Sequence, residues 1–239
     1  MKMYRLLTAM LLSFSLSYGL DLMTEDYPPY NYQNENGKLE GISIDIVKEI
    51  IKKTGDANNI ELLPWARSYK NIQDKKGQVL FVMTRTKERE NLFKWVGPVA
   101  FNDWVLFASS DSNIHPTSLE DLKKSNYIIG AYKDDACELF LKTNGFKNIT
   151  SVSDDILNVK KLTNKRIDVW IVGEYQGIIK AKRLGLHNKI KKVFDVQRTE
   201  LYIAFSKDVP DNVIAIWQKE LDVLKANGVY QKIIDKYTK

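Results

Sequence analysis

The chain has 239 residues and a formal net charge of +6, from 36 basic and 30 acidic residues that are interspersed without a basic run or stripe. This distribution is typical of a solvated surface and argues against a nucleic-acid-binding face. Two histidines, His115 and His187, and one cysteine, Cys137, disfavour a histidine metal centre, a Ser-His-Asp triad and an internal disulfide. We therefore expect no metal, no cofactor and a fold stabilised by its hydrophobic core.

The first 19 residues predict a secretory signal peptide. Lys2 and Arg5 form a basic start, the apolar stretch LLTAMLLSFSLS follows, and the small residues Ser17 and Gly19 close the segment. An uncleaved anchor is the weaker alternative, because a membrane span needs roughly 20 apolar residues. Removal of residues 1–19 leaves 220 residues with a charge of +4. We expect a periplasmic or otherwise extracytoplasmic chain with one large domain or two lobes.

Strand and helix patterns alternate through the first part of the exported chain. A short strand, LDLMTE, precedes the proline-rich turn DYPPYNY. The segment SIDIVKEIIKKTG predicts an amphipathic helix that ends at Gly55. NIELLPW and GQVLFVM are predicted strands on either side of the polar, helix-like ARSYKNIQDKK, and DWVLFASS is an apolar strand.

The alternation continues to the end of the chain. SLEDLKK begins a helix with a Ser-x-x-Asp cap pattern. Further strands are YIIGAY, NITSV, IDVWIVG and ELYIAFS, and helices are predicted at DDACELFLKTNG and SDDILNVKKLTNKR. The segment NVIAIWQKELDVLKANGVYQKIIDKY predicts one long helix, or a helix broken at Gly228. Strands separated by helices predict an α/β architecture with parallel sheets.

Three motifs carry a resemblance to a known family. They are the opening DYPPYNYQNENGKLEGISIDIVKEI, the segment MTRTKERENLFKWVGPV and the ending GVYQKIIDKY. In this order and spacing they resemble the family 3 extracellular solute-binding proteins, the polar amino-acid receptors of ABC importers. The motif LPWARSY resembles a divergent branch of that family.

The resemblance implies the two-lobed, type II periplasmic-binding-protein fold, with two crossover segments and a ligand cleft between the lobes. Lobe one would take residues 20–107 and 202–239, and lobe two residues 108–201. We place the crossovers at DWVLFASS and ELYIAFS. A C-terminal strand and helix that return to the first sheet fit this discontinuous lobe.

Hydroxyl groups and an arginine cluster at the end of a predicted strand, where Thr84 and Thr86 precede Arg89. Such a cluster is either a solvated helix start or an anion site, in which a planar guanidinium pairs with a carboxylate. The resemblance implies that Arg89 forks onto the ligand carboxylate and that Thr84 donates its hydroxyl. The alternative is a surface arginine that pairs with Glu88 or Glu90.

Aromatic residues supply the next candidates. The resemblance implies that Tyr27 lies in the ligand pocket and that Trp65 lies over the ligand, with Arg67 as a second cation near the cleft. Aromatic faces can cover the apolar part of a ligand or a cation. In the alternatives, Tyr27 packs on Pro28 and Pro29, Trp65 packs beneath its lobe, and Arg67 bridges to an acid.

Acidic residues mark the other side of the predicted cleft. Asp134 and Asp135 start a predicted helix, where they are either ordinary caps or carboxylates that attract an amine. The aspartate with which the family clamps an α-ammonium group is replaced here by Gly173. Asp135 or Glu174 would substitute for it, or the ligand has no α-ammonium group. We therefore expect ordinary α-amino acids to bind weakly.

Three functions fit these residues. The leading one is a non-enzymatic receptor that binds a small carboxylate or amine-bearing ligand by hinge closure, as a monomer, and delivers it to an ABC permease in the inner membrane. The second is a cyclohexadienyl-dehydratase-like lyase, with Asp135 or Glu174 as general acid and Arg89 holding the substrate carboxylate. The third is a sensor that reports ligand occupancy to a membrane partner.

Overall fold

A computed structural model describes residues 19–56 and 59–238, so the predicted signal peptide lies almost wholly outside the described residues. The strands are β1 (Asp21–Thr24), β2 (Tyr32–Gln33), β3 (Leu39–Glu40), β4 (Ile60–Leu62), β5 (Gln78–Thr84), β6 (Lys94–Ser109), β7 (Ile129–Tyr132), β8 (Ile149–Val152), β9 (Val169–Gly173) and β10 (Ile190–Phe205). The helices are α1 (Ile42–Thr54), α2 (Trp65–Asp74), α3 (Lys87–Glu90), α4 (Leu119–Lys124), α5 (Ala136–Thr143), α6 (Ile156–Thr163), α7 (Glu174–Arg183), α8 (Asp211–Ala226) and α9 (Val229–Thr238).

The strands form one mixed sheet and a small hairpin. The sheet order is β4-β1-β5-β10-β6-β9-β7-β8, and β2 pairs with β3. As predicted, strands separated by helices are parallel: β1 with β4 and β5, and β7 with β8 and β9. The two central strands run antiparallel to their neighbours. We call the part built on β4, β1 and β5 the first lobe, and the part built on β9, β7 and β8 the second lobe.

The two lobes are joined by β6 and β10, which have 16 residues each. These strands pair with each other from Ile190 and Ser109 to Phe205 and Lys94. At 16 residues, each spans about 50 Å, since an antiparallel strand rises about 3.4 Å per residue. The sequence predicted only the apolar carboxyl-terminal part of each strand. The remaining residues of β6 are mainly a mixture of buried and half-buried positions, and those of β10 are mostly half-buried or exposed. Neither stretch is a continuous apolar run, which weakens the hydrophobic signal.

A two-stranded segment lies between the lobes. Strand β10 leaves β5 at Leu201, which pairs with Thr84, and β6 joins β9 at Trp104, which pairs with Gly173. Between these points, residues 101–103 of β6 pair only with residues 198–200 of β10. Two strands bend more easily than a wide sheet, and this segment lies beside or within the predicted crossovers. The exact lobe boundaries stay a prediction.

Each lobe has its own hydrophobic core. In the first lobe, side chains of α1, β5, α8 and α9 pack around Phe81 and Trp217. In the second lobe, Trp104 and Leu106 of β6 face one cluster, whereas Val105 and Phe107 face another. This alternation is that of a strand buried on both faces.

The C-terminal helix is broken, and both pieces belong to the first lobe. Gly228 has φ of +79°, a backbone conformation that favours glycine, and it separates α8 from α9. Ile233 of α9 and Leu221 of α8 lie in the same cluster as Ile46 of α1. The chain end therefore packs against α1 of the first lobe. Within the described residues, no helix is long and apolar enough to cross a membrane.

Candidate functional site

Arg89 is buried where the first lobe faces the second. Strand β5 ends at Thr84, and the side chain of Thr86 accepts a hydrogen bond from the backbone N–H of Arg89 to cap α3. The Arg89 side chain is only 2% exposed, although arginine is almost never buried without partners. Glu90 instead pairs with Arg85 at 2.5 Å, so the structure does not support a surface Arg89–Glu90 pair.

The guanidinium of Arg89 is only partly satisfied. Its Nη1 donates to the carbonyl oxygen of Thr84 at 3.3 Å, and its Nη2 donates to the carbonyl oxygen of Asp134 at 3.2 Å. Its Nε has no hydrogen-bond partner among the described residues. The rings of Trp65 and Tyr69 lie 5.1 and 5.0 Å from its Cζ. A buried cation with a free donor favours an additional acceptor such as a ligand carboxylate.

Two donors of the first lobe converge on one carbonyl group of the second. Trp65 begins α2, is 2% exposed and stacks on Tyr69 with 5.2 Å between ring centroids. Its Nε1 donates to the Asp134 carbonyl oxygen at 3.0 Å, beside the bond from Arg89. Asp134 has φ of +61°, a left-handed conformation that aspartate tolerates. The Asp134 carbonyl therefore links the lobes through the residues predicted to contact ligand.

Asp135 is both a helix cap and part of this junction. Its side chain accepts from the backbone N–H of Cys137 at the start of α5, so the ordinary capping role is confirmed. Burial raises the pKa of the Asp135 carboxyl, and the charge of Arg89 opposes that rise. Arg89 and Asp135 line a groove of about 520 Å³ between the lobes, together with Tyr69 and Glu138. The structure thus brings a cation and an acid of the predicted site together.

Tyr27 lies in a second part of the junction, next to the two-stranded segment. It is 7% exposed and stacks on Tyr30 with 5.8 Å between ring centroids. Its hydroxyl accepts a hydrogen bond from Asn102 Nδ2 at 2.9 Å. Asn102 is 1% exposed, and its Oδ1 has no partner among the described residues. An unpaired buried oxygen costs free energy unless a ligand or water completes it.

The side chain of the same asparagine packs against Gly173. A Cβ atom at Gly173 would lie 2.4 Å from Asn102 Oδ1, a distance that real Cβ atoms do not show, and 3.0 Å from Asn102 Nδ2. Asn102 thus occupies the space beside Gly173 that a larger side chain would need. Any side chain at position 173 would require Asn102 to move.

The remaining predicted residues lie apart from this junction or are engaged elsewhere. Arg67 is on the exposed side of α2, where the structure does not bring it to Arg89. Glu174 starts α7 and forms an ion pair with Lys192 of β10 at 3.0 Å. Thr84 is 9% exposed and accepts a hydrogen bond from Arg89 at its carbonyl oxygen, and it lines a second groove of about 830 Å³ together with Ala136 of α5 and Arg198 of β10. Trp170 is fully buried in the second-lobe core.

Comparison with known proteins assigns the family. The model of the bacterial extracellular solute-binding proteins, family 3, matches residues 22–239. The chain belongs to this family. The probable histidine-binding protein of Campylobacter jejuni is 26% identical over 226 residues, which cover 89% of this chain and 81% of that protein. The probable amino-acid-binding protein YxeM of Bacillus subtilis is 24% identical over 211 residues, which cover 87% of this chain and 79% of that protein.

Solved structures confirm the fold. One is the sensor domain of a histidine kinase, which is similar to periplasmic binding proteins. It superposes with a TM-score of 0.84 at 20% identity, and the match covers 92% of this chain and 96% of that chain. An ancestral arginine-binding protein bound to arginine gives a TM-score of 0.79 at 23% identity, and the match covers 92% of this chain and 99% of that chain. The two-lobed fold of this solute-binding protein is therefore the one that the sequence motifs implied.

Three buried charged residues of this solute-binding protein, and the half-buried Tyr132 beside them, were absent from the sequence prediction. Glu25 follows β1 and is 6% exposed, and the hydroxyl of Tyr132 donates a hydrogen bond to its carboxyl group. Lys180 and Asp155 form an ion pair at 3.2 Å, both deeply buried. Of these residues, only Glu25 could have been identified from the sequence as a candidate site residue. It directly follows a predicted strand, and ligands of α/β proteins bind at the carboxyl ends of the strands. Lys180 sits within an ordinary-looking helix.

Proposed function

We propose that this protein is an extracytoplasmic receptor that binds a small amino-acid-like ligand between its lobes and delivers it to an ABC permease. The observation that carries the proposal is Arg89, a buried guanidinium at the lobe junction with an unpartnered Nε. A ligand carboxylate at this place would gain charge-assisted hydrogen bonds in a site from which water is largely excluded. Both reported relatives are named for binding, one for amino acids and one for histidine.

Five predicted residues make up the proposed site. Arg89 would hold the carboxylate with help from the Thr84 hydroxyl, and Trp65 and Tyr27 would cover the rest of the ligand. Asp135 would face the ligand from the second lobe. Closure would follow because the ligand contacts both lobes and so stabilises the closed arrangement over the open one.

A screen of ligands tests the proposal. Thermal shift of the purified protein against the twenty standard amino acids, simple amines and simple carboxylates should reveal at least one stabilising compound, because a ligand that binds only the native state raises its stability. Calorimetry then measures the affinity. A panel without any binder would contradict the proposed ligand class.

Small-angle scattering tests the closure. The two-stranded segment at residues 101–103 and 198–200 is the place where the lobes would hinge. Saturating ligand should reduce the radius of gyration relative to the ligand-free protein. An unchanged radius with ligand demonstrably bound would contradict hinge closure.

Delivery to a permease needs its own test. An operon that encodes a permease and an ATPase beside this gene would support import, and addition of the receptor with ligand should stimulate ATP hydrolysis by that transporter in proteoliposomes. Stimulation that does not require ligand would argue against a delivery role.

A further inference from the structure

Glu138 is a buried residue of the second lobe whose carboxylate is held at both oxygens. It lies in the first turn of α5 and is 5% exposed. Its Oε2 accepts a hydrogen bond from the backbone N–H of Asp134 at 2.8 Å. Its Oε1 accepts from Ser151 Oγ of β8 and lies 3.0 Å from Lys142 Nζ. The side chain therefore ties the start of α5 to β8 and to the turn that precedes the helix.

These contacts keep Glu138 charged. Burial disfavours a carboxylate, but the hydrogen bonds from Ser151 and from the Asp134 N–H outweigh it and lower the pKa of Glu138. Both oxygens of Glu138 are therefore acceptors at pH 7. A charged acceptor forms a stronger hydrogen bond than a neutral one, so the Asp134 N–H is held firmly.

The same turn is also fixed at its next peptide group. The backbone N–H of Asp135 donates to the carbonyl oxygen of Tyr132 at 3.3 Å, and Asp134 between them has φ of +61°. In a trans peptide group, the C=O and N–H bonds point in opposite directions. The Asp134 carbonyl therefore points away from the second lobe, because the Asp135 N–H of the same peptide group points back into it.

That carbonyl oxygen is the acceptor on which two donors of the first lobe converge. Trp65 Nε1 of α2 donates to it at 3.0 Å, and Arg89 Nη2 of α3 donates to it at 3.2 Å. A carbonyl oxygen has two lone pairs, so both are used. Both bonds cross between the lobes, and both depend on the direction in which the Asp134 carbonyl points.

An ordinary capping role for Glu138 would not reach the first lobe. Asp135 is the N-cap of α5, and Glu138 has the spacing of a capping box, in which the acid accepts from the N–H of the N-cap residue. Here Glu138 accepts from the residue before the N-cap, Asp134. The bond therefore holds the residue whose carbonyl faces the first lobe, in addition to the helix start.

We propose that Glu138 is a positioning residue for lobe closure. It fixes the Asp134 backbone so that the Asp134 carbonyl binds Trp65 and Arg89 and holds the lobes together around a ligand. This inference rests on the proposed receptor function and adds to it a residue that sets how long the ligand is retained. Because Glu138 acts through Asp134, its effect should appear in the other lobe, at Trp65.

The indole N–H signals of three tryptophans in NMR spectra test this role, because they report different places. The Trp65 indole donates across the lobes. Trp170 donates to Asp155 within the second lobe, and Trp217 donates to Asp56 within the first lobe. The spectra are recorded at saturation with the standard amino acid that raises the melting temperature of the wild type most.

Glu138→Ala should speed hydrogen exchange of the Trp65 indole about tenfold, because a hydrogen bond of ordinary strength contributes about that factor. Exchange at the Trp170 and Trp217 indoles should stay within about twofold of wild type, since their partners do not depend on Asp134.

Three further variants complete the set. Glu138→Gln keeps a carbonyl oxygen that accepts from the Asp134 N–H, so Trp65 exchange should stay within about threefold of wild type. Ser151→Ala removes one hydrogen bond to Glu138 and is the milder change if Glu138→Ala folds poorly; it should speed Trp65 exchange about threefold. Glu61 is exposed on edge strand β4, and the control Glu61→Ala should match wild type.

Release of the same amino acid, followed by stopped-flow fluorescence, tests what the contact does for binding. Glu138→Ala should raise the dissociation rate about tenfold and leave the association rate within about twofold, because the contact forms only after the lobes meet. Trp65→Phe keeps an aromatic ring but lacks the donor. In that background, Glu138→Ala should raise the dissociation rate by less than about threefold, since both residues act through one carbonyl.

The contrary outcomes separate the two proposals. If Glu138→Ala speeds exchange at Trp170 as much as at Trp65, or raises the dissociation rate equally in both backgrounds, Glu138 is only a structural cap of α5. If it changes neither exchange nor release, the positioning role is likewise overturned, and in each case the receptor function stands. If none of the standard amino acids stabilises the wild type, the receptor function for amino-acid-like ligands fails, and the positioning role fails with it.

Discussion

Arg89 is the residue on which the proposed site most depends. Arg89→Ala should weaken ligand binding by about 2–5 kcal/mol, because truncation removes one partner of a buried charge pair. Calorimetry with the ligand from the thermal-shift screen measures the change. Arg166→Ala is the matched control, since Arg166 is exposed in the turn before β9. Wild-type affinity in Arg89→Ala would remove Arg89 from the site.

Gly173 and Asn102 should behave as a coupled pair. Gly173→Ala places a Cβ atom 2.4 Å from Asn102 Oδ1, and overpacking of this kind costs about 1–3 kcal/mol of unfolding free energy. Asn102→Ala removes the clashing atoms, so Gly173→Ala should cost less in that background. Chemical denaturation of both single variants and the double variant gives the coupling. Additive effects would show that Asn102 does not restrict position 173.

Local motifs explain which site residues the sequence could predict. Thr84 and Arg89 lie five residues apart at a strand end, and Tyr27 lies in a proline-rich turn, so each has a recognisable neighbourhood. Glu25 and Lys180 are 155 positions apart in the sequence and belong to different lobes. Periodicity within one helix does not show which residues of the other lobe that helix will face, so Lys180 had no local signal.

At the scale of elements, an ion pair spans the lobes beside the site. Arg183 at the end of α7 donates through both Nη atoms to the Asp26 carboxylate, in the turn after β1. The two side chains are 36% and 41% exposed. Solvent screening limits such a pair to about 0–1 kcal/mol, which corresponds to at most about fivefold in a rate.

Removal of this pair should speed ligand release. Arg183→Ala should raise the dissociation rate by up to about fivefold while the melting temperature changes little, because the contact exists only when the lobes are together. Stopped-flow fluorescence measures the rate. Lys70→Ala, which breaks the Lys70–Asp74 pair within α2, is the control. An unchanged dissociation rate in Arg183→Ala would show that the pair does not hold the closed arrangement.

The strand elements show a second limit of sequence patterns. GQVLFVM and IDVWIVG are fully buried in β5 and β9, and continuous apolar runs predicted both. In contrast, β10 begins at Ile190, although only its last residues were predicted as a strand. Residues 191–200 are mostly polar because this part of β10 has a solvent-facing side. Its strand conformation is set by pairing with β6, which is a long-range contact.

At the scale of the whole molecule, the buried acid should make stability depend on pH. The pKa of Glu25 is 4.5 in an unfolded chain and about 8 in the closed protein, chiefly because burial disfavours the charged form. A raised folded-state pKa means that the native protein binds more protons than the unfolded chain between these values. The stabilising contribution is therefore complete below about pH 4.5 and is lost as the pH rises toward 8.

Between pH 5 and pH 8, the unfolding free energy of the wild type should therefore fall relative to that of Glu25→Gln, by at most about 1.4 kcal/mol per pH unit. Comparison with the variant cancels titrations that both proteins share. Urea denaturation of ligand-free protein at several pH values measures the difference, and Glu61→Gln should follow the wild type. Parallel curves for the wild type and Glu25→Gln would mean that Glu25 stays ionised in the folded protein. Its burial between the lobes would then not persist in solution, and the ligand-free protein would populate an open arrangement.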